Sequence, residues 1–217
     1  TVQVQELAPG LWHWTALHPE WKPSDAEEGE GWGHEVGCVY LEAADSTVLI
    51  DPQVPAAPEE RKRFLGHLDA DVERAGKPVA VLLTVAAHER SAPELAERYS
   101  AEIWAHEREV ERYGATADRP FPSGASLPGG VAAVDAAFEV VLWIPAHAAL
   151  VAGDILLGSD GGGVRVCPDS WLGPWSPADV RENLRPLLDL PIERILVSHG
   201  EPVLTGGRAA LERALIA

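Results

Sequence analysis

Polar side chains follow three apolar runs of the sequence directly, at the points where strands would end. Residues 84–90 follow the first run, residues 153–154 the second and residues 198–200 the third. Residues at the carboxyl ends of strands in layered α/β proteins converge on one edge, where ligands bind. The imidazoles and carboxylates of these segments can transfer protons or bind a metal ion. We therefore expect a functional site at this edge.

The rest of the sequence predicts the elements that position these segments. Strand patterns alternate with helical patterns in the first half of the chain, which is typical of α/β proteins. Ser91 and Glu94 have the spacing of a capping box, which predicts the start of one helix, and Pro186 should disturb the last turn of another. We predict strands at residues 11–17, 36–41, 47–50, 79–84, 103–105, 131–134, 139–144, 150–152 and 195–197, and helices at 58–75, 91–99, 177–188 and 207–216.

These elements indicate an α/β (α+β) fold in which two sheets are sandwiched between helices. No internal repeat, low-complexity tract or linker divides the chain, so we predict one domain over residues 1–217. Residues 18–33 are too polar and too rich in proline and glycine to form a regular element, and we expect a long loop there. Its Trp21 and Trp32 could cover an apolar pocket or pack against the sandwich.

Composition excludes several classes of partner. The 34 acidic and 17 basic side chains give a formal net charge of −17, which repels nucleic acids and anionic lipids unless a local basic patch offsets it, and the sequence contains no such run. The longest apolar runs are far shorter than the ~20 residues of a membrane span, and no signal segment opens the chain. We expect a cytoplasmic protein whose partner is an unknown small molecule. Cys38 and Cys167 are expected to be reduced thiols.

The order of the segments resembles that of the metallo-β-lactamase superfamily across nearly the whole chain. Residues 37–52 (GCVYLEAADSTVLIDP) are similar to its opening strand pair, which ends at an Asp. Residues 79–84 match its strand before the metal motif, residues 150–156 (LVAGDIL) its Gly-Asp segment and residues 196–202 (LVSHGEP) its final His-Gly turn. The resemblance implies a four-layer αββα sandwich with one or two metal ions at one edge, and hydrolysis of a small ester, thioester or amide.

The metal motif itself departs from the superfamily pattern H-x-H-x-D-H, because the segment here reads TVAAHERS. Aligning it on the preceding strand places Val85, Ala87, Glu89 and Arg90 at the four motif positions. Aligning it on the following helix places His88 at the last position. Valine and alanine cannot bind a metal ion, so most of the ligand cluster is missing in either register.

The remaining ligands are few. Asp154 and His199 match their superfamily positions, whereas the usual Pro-Gly-His turn is absent and Asp135 is the one possible ligand near it. A catalytic zinc ion needs about three protein ligands and an open position. We therefore expect a degenerate metal site without a tightly bound cofactor. Zinc is the alternative, and a single ion would be held by His88, Asp154 and His199.

The candidate catalytic residues are His88, Glu89, Arg90, Asp154 and His199. Arg90 is a permanent cation that could pair with Asp154 in place of a metal ion, which predicts Arg90 or His88 within hydrogen-bonding distance of Asp154 or His199. If the protein is an enzyme, His199 or Glu89 would be the general base and Arg90 would stabilise an oxyanion.

Other interpretations of the same residues involve no catalysis. The Arg, Asp and His side chains could form a buried network in a structural or ligand-binding protein. Asp51 is expected to support the site loop from behind, and Cys167 to be a small apolar filler rather than a nucleophile. The acidic runs at residues 25–30 and 107–111 are expected to be solvated surfaces.

Overall fold

The computed structural model describes residues 2–29, 31–159 and 161–216. A seven-stranded sheet contains the first half of the chain, and its strands lie side by side in chain order. The first four strands are antiparallel, whereas the fourth to the seventh run parallel to one another. These strands are β1 (Gln3–Ala8), β2 (Leu11–Leu17), β3 (Glu35–Glu42), β4 (Thr47–Ile50), β5 (Val79–Leu82), β6 (Glu102–His106) and β7 (Arg119–Phe121).

The second half of the chain forms a five-stranded sheet and a separate two-stranded hairpin. The strands are β8 (Ser126–Leu127), β9 (Val131–Ala136), β10 (Glu139–Ile144), β11 (Ala149–Ala152), β12 (Leu156–Ser159), β13 (Gly163–Val166) and β14 (Arg194–Val197). The sheet has the order β14-β11-β10-β9-β8, and β12 pairs with β13 alone. Because β14 is parallel to β11, their carboxyl ends lie at the same edge.

Within residues 2–29, 31–159 and 161–216, five α-helices cover the outer faces of the two sheets. They are α1 (Pro58–Ala75), α2 (Ala92–Tyr99), α3 (Glu107–Tyr113), α4 (Pro177–Leu184) and α5 (Gly207–Ile216). No helix in the described part of the chain is long and apolar enough to cross a membrane.

Alternation of side chains along the strands builds three apolar layers. In β4, Val48 and Ile50 face the other sheet, whereas Leu49 faces α1 and α2. In β11, Val151 faces the space between the sheets and Leu150 faces α4 and α5. The central strands of each sheet therefore bury both faces, and the predicted four-layer αββα sandwich is confirmed.

Several local predictions need correction. The acidic run at residues 107–111 is a solvated surface only in part, because it forms α3 with Glu107 and Glu111 exposed but with the Glu109 side chain fully buried. The helix predicted over 177–188 ends as an α-helix at Leu184 and continues as a 3-10 turn, since Pro186 cannot donate a backbone hydrogen bond. Neither β1 nor the β12–β13 hairpin was predicted from the sequence. Glu30, at the end of the other acidic run, lies outside the described residues.

Gly37 lies where β3 passes close to the end of β14. Its backbone N–H donates to the Ser198 carbonyl at 2.7 Å, and a Cβ atom on Gly37 would lie 2.4 Å from the Val197 carbonyl oxygen. Only glycine fits there without a shift of the backbone, so this residue sets the spacing of the two sheets beside the expected site.

Replacement of Gly37 by alanine should lower the free energy of unfolding by about 1–3 kcal/mol, because the new methyl group overpacks the sheet contact. Gly66→Ala is the matched control, since that glycine lies on α1 and an added Cβ atom would meet nothing within 4 Å. This control should be neutral or slightly stabilising. Urea unfolding midpoints measure both changes. Equal stability of Gly37→Ala and the parent protein would contradict the packing argument.

Candidate functional site

The predicted site lies at the edge of the sandwich where β4, β5, β11 and β14 end. The segments that follow these strands meet around a pocket of about 360 Å³. The residues that line it are His18, Trp32, Ala87, His88, Arg90, Asp154, Trp171 and His199.

The Asp154 carboxylate lies between two imidazoles. Its Oδ1 atom is 3.1 Å from Nε2 of His88 and 3.1 Å from Nε2 of His199. Both histidines are buried. The prediction that His88 lies within hydrogen-bonding distance of Asp154 is therefore confirmed.

The other ring nitrogen of His88 faces a second carboxylate. Nδ1 of His88 is 2.9 Å from Oδ2 of Asp51, and Asp51 also accepts from the Thr84 hydroxyl at 2.6 Å and from the Thr84 backbone N–H at 2.9 Å. Asp51 adopts a left-handed backbone conformation with φ of 47° directly after β4. It holds His88 from behind, which is the place that the sequence predicted for it.

Charges in the cluster oppose the effect of burial. Burial and the nearby Arg90 cation lower the pKa of His88, but the Asp154 and Asp51 carboxylates outweigh them and raise it to about 9. Burial alone would raise the pKa of Asp154, yet the two imidazoles hold it well below its usual range. Burial lowers the pKa of His199 despite the adjacent carboxylate. Without a metal ion, the neutral-pH cluster consists of an imidazolium, a carboxylate and a neutral imidazole.

Glu139 fixes the turn that carries Asp154. Its fully buried carboxylate accepts backbone N–H groups from Gly153 at 2.9 Å, Asp154 at 2.6 Å and Ile155 at 3.1 Å. Burial and the adjacent Asp154 charge raise the pKa of Glu139 to about 8. This role was not predicted from the sequence. The one available signal was a charged residue at the start of an otherwise apolar strand.

Arg90 joins three segments of the site but does not contact Asp154. Its guanidinium donates to the backbone carbonyls of Gly37 at 3.3 Å and Asp51 at 3.0 Å, and to the Ser198 hydroxyl. The predicted Arg90–Asp154 pair is therefore absent, because the guanidinium group donates to these other acceptors. Arg90 also has a left-handed backbone, with φ of 40°.

Glu89 is not in the pocket. Its carboxylate accepts from the Thr116 backbone N–H at 2.9 Å and from the Thr116 hydroxyl at 3.0 Å. Residues 86–88 form a 3-10 turn, so consecutive side chains point in very different directions and only His88 faces Asp154. The expectation that Glu89 acts as a general base in this pocket is wrong, because its carboxylate lies outside the pocket. Asp135 is also remote from the cluster, near Arg108 at 3.8 Å.

The donor atoms fit a single metal ion. One ligand atom from each of His88, Asp154 and His199 lies within 4.8 Å of the other two. Two imidazole nitrogens and a carboxylate oxygen match the three protein ligands of catalytic zinc, and the Asp51 carboxylate orients His88 in the usual manner for a zinc-binding histidine. Ala87 offers no donor, and no second cluster occurs among the described residues.

Aromatic rings surround the cluster. The ring centroid of His199 lies 5.1 Å from that of Trp32 and 6.0 Å from that of Trp171. Trp21 stacks on His34 at 4.6 Å and donates its indole N–H to the Trp32 carbonyl at 2.9 Å. The two tryptophans of this loop therefore differ in role. Trp32 lines the pocket, whereas Trp21 packs within the loop.

Both cysteines are free and buried, as the sequence predicted. Burial raises the pKa of each thiol to about 12. Neither Cys38 nor Cys167 lines the pocket around Asp154.

The fold is that of known metallo-β-lactamases. No protein-family model and no curated protein matches the sequence. A metallo-β-lactamase from Pontibacter korlensis superimposes with a TM-score of 0.71 at 15% identity, over 100% of this chain and 98% of that one. The FIM-1 enzyme from Pseudomonas aeruginosa in its mono-zinc form gives 0.70 at 14% identity, over 99% and 93%.

A third structure agrees with these two. The metallo-β-lactamase from Erythrobacter litoralis with β-mercaptoethanol in its active site gives a TM-score of 0.67 at 18% identity, over 99% of this chain and 95% of the other. The chain therefore has the metallo-β-lactamase fold, which confirms the architecture implied by the resemblance.

The raised pKa of His88 makes stability depend on pH in the metal-free protein. The pKa of this imidazole is about 9 in the folded state, against an ordinary value of 6.5. The stabilisation is therefore complete below pH 6.5 and is lost as pH rises through about 9. The loss is at most about 3 kcal/mol. Urea unfolding of chelator-treated protein between about pH 6 and pH 10 measures it.

His88→Gln removes this titration, so its free energy of unfolding should fall less over that pH range than the parent's. Glu139 titrates in both proteins. His67→Gln, at an exposed position on α1, is the control and should retain the parent slope. Parallel pH curves for His88→Gln and the parent would contradict the assignment.

Proposed function

We propose that the protein is a hydrolase of a small ester, thioester or amide that uses one divalent metal ion, with zinc as the candidate. The observation that carries this proposal is the Asp154 carboxylate with a histidine nitrogen 3.1 Å away on each side. The metallo-β-lactamase fold adds support, because the FIM-1 structure of the same fold is a mono-zinc form.

His88, Asp154 and His199 would hold the ion and leave one position open toward the pocket. When bound, zinc would polarise a carbonyl group and lower the pKa of a water molecule. Asp51 acts as a positioning residue, because its carboxylate retains the Nδ1 proton of His88 and turns the Nε2 atom toward Asp154.

The pocket suits a small substrate with an apolar part. Trp32 and Trp171 supply its aromatic walls, and a volume of about 360 Å³ lies at the lower end of the range for small-molecule sites. Glu89 faces away from the pocket, and His88 and His199 would bind the metal ion. Among the described lining residues, His18 is therefore the side chain left to exchange a proton near neutral pH. Burial and the Arg90 cation lower the pKa of His18, so its neutral form can accept a proton from the reacting groups.

A metal-free binding protein is the second candidate. It is favoured by the contacts of His88, since both ring nitrogens lie within hydrogen-bonding distance of carboxylates and an imidazolium would satisfy both. In that case the Asp154 charge is neutralised by protein alone, and the network of Arg90, Asp51 and His88 holds the walls of a ligand pocket. This candidate corresponds to the expectation from the sequence that no cofactor is tightly bound.

Metal content separates the two candidates. Protein purified without chelator should contain about one zinc ion per chain, and zinc added to chelator-treated protein should raise the melting temperature. Asp154→Asn and His199→Ala should lose the ion and the temperature shift, whereas the exposed control His67→Ala should keep both. Absence of stoichiometric metal together with an unchanged melting temperature would reject the one-metal hydrolase.

Asp51→Asn tests the positioning role. The amide cannot accept the His88 proton with the strength of a carboxylate, so zinc affinity should fall by about 10–100-fold while the three ligands remain. Competition with a calibrated chromophoric chelator measures the affinity. Unchanged affinity in Asp51→Asn would show that the Asp51–His88 contact does not orient the ligand.

A further inference from the structure

A second cavity lies between β13, the segment that follows it, α4 and α5. It has a volume of about 580 Å³ and shares no lining residue with the pocket around Asp154. Three guanidinium groups line it, from Arg165 on β13, Arg181 on α4 and Arg213 on α5. We call it the arginine cavity.

These arginines lack partners within the described part of the chain. Arg165, Arg181 and Arg213 form no ion pair there, whereas other arginines such as Arg98 and Arg119 pair with carboxylates. The Nε atom of Arg181 is buried without a hydrogen-bond partner. A buried N–H group without an acceptor is costly, so the arrangement favours an acceptor that enters the cavity.

The charge of the cavity is opposite to that of the protein. Asp169 is the only carboxylate among the described lining residues, so this described lining carries three cations and one anion in a chain whose net charge is −17. Repulsion among cations in a concave site is relieved by an anion, and the planar guanidinium group binds phosphate or carboxylate oxygens through paired hydrogen bonds.

We propose that the arginine cavity binds a small molecule with two or more negative charges carried by phosphate or carboxylate groups. Its volume lies in the range of small-molecule sites. The negative charge of the remaining surface opposes a long polyanion such as nucleic acid, so a ligand that fits inside the cavity is favoured. The site is independent of the proposed hydrolytic pocket.

Calorimetric titration of the full chain with pyrophosphate, inorganic phosphate and citrate tests this proposal. Pyrophosphate or citrate should bind with one site per chain and should bind more tightly than inorganic phosphate, and the stronger of the two identifies the oxyanion class. Arg181→Gln and Arg213→Gln should each weaken binding by about tenfold or more through the loss of charge-assisted hydrogen bonds.

Two controls isolate the cavity from other effects. Arg112→Gln removes the same charge from α3, where Arg112 lies over the Tyr113 ring, and should change affinity less than about twofold. Pyrophosphate and citrate also bind metal ions, so they could bind at the pocket around Asp154 instead. In that case Asp154→Asn would weaken their binding. If they bind in the arginine cavity, Asp154→Asn should leave their affinity unchanged. Melting temperatures of all variants verify folding.

Three results would overturn the proposal. They are the absence of binding to all three anions at low ionic strength, an equal loss of affinity in Arg112→Gln and Arg181→Gln, and loss of binding in Asp154→Asn. Binding of a short oligoglutamate peptide without binding of the small anions would also overturn it, and would instead assign the surface to an acidic protein segment.

Discussion

One buried carboxylate shared by two imidazoles determines how the rest of the site must be built. An ionised carboxylate taken out of water is costly unless it is paired, and Asp154 obtains that pairing from His88 and His199. The buried carboxyl oxygens beside it also need hydrogen-bond donors, although Glu139, with a pKa of about 8, is mostly protonated at neutral pH. Asp51 is satisfied by Thr84 and His88, and Glu139 by three backbone N–H groups. Removal of a partner of Asp154 or Asp51 would leave a charge exposed to an apolar interior.

The loops of the site are fixed mainly through their backbone. Glu139 binds the turn after β11, Arg90 binds the carbonyls of Gly37 and Asp51, and the buried Glu109 accepts from the Ala86 backbone at 2.9 Å. Each contact joins a loop to an element that is distant in sequence. The pocket can therefore be formed from irregular segments and still keep a defined geometry, since the sandwich supplies the rigid frame.

Two kinds of signal predicted the sandwich and the three cluster residues. Apolar runs of strand length and polar residues at strand ends are local signals, and they indicated two sheets between helices with a site at one edge. The resemblance to the metallo-β-lactamase superfamily implied the four-layer order and singled out Asp154 and His199. The directions of Glu89 and Arg90 were not predictable, because they depend on a single 3-10 turn. The role of Glu139 and the arginine cavity depend on tertiary contacts between distant segments. The absence of a basic run in the sequence did not exclude a basic site in three dimensions.

Asp51 and Arg90 both have a left-handed backbone conformation. This conformation destabilises the fold locally, but it directs the two side chains to their contacts in the site. Side chains other than glycine adopt this conformation at a cost of about 1–3 kcal/mol, which the surrounding packing must offset. Glycine at either position would relieve the strain, but it would delete the carboxylate that orients His88 or the guanidinium that joins three segments. The contacts of Asp51 with Thr84 and His88, and of Arg90 with three segments, therefore offset the cost of their backbone conformation, and a glycine would exchange that cost for unpaired groups in the interior.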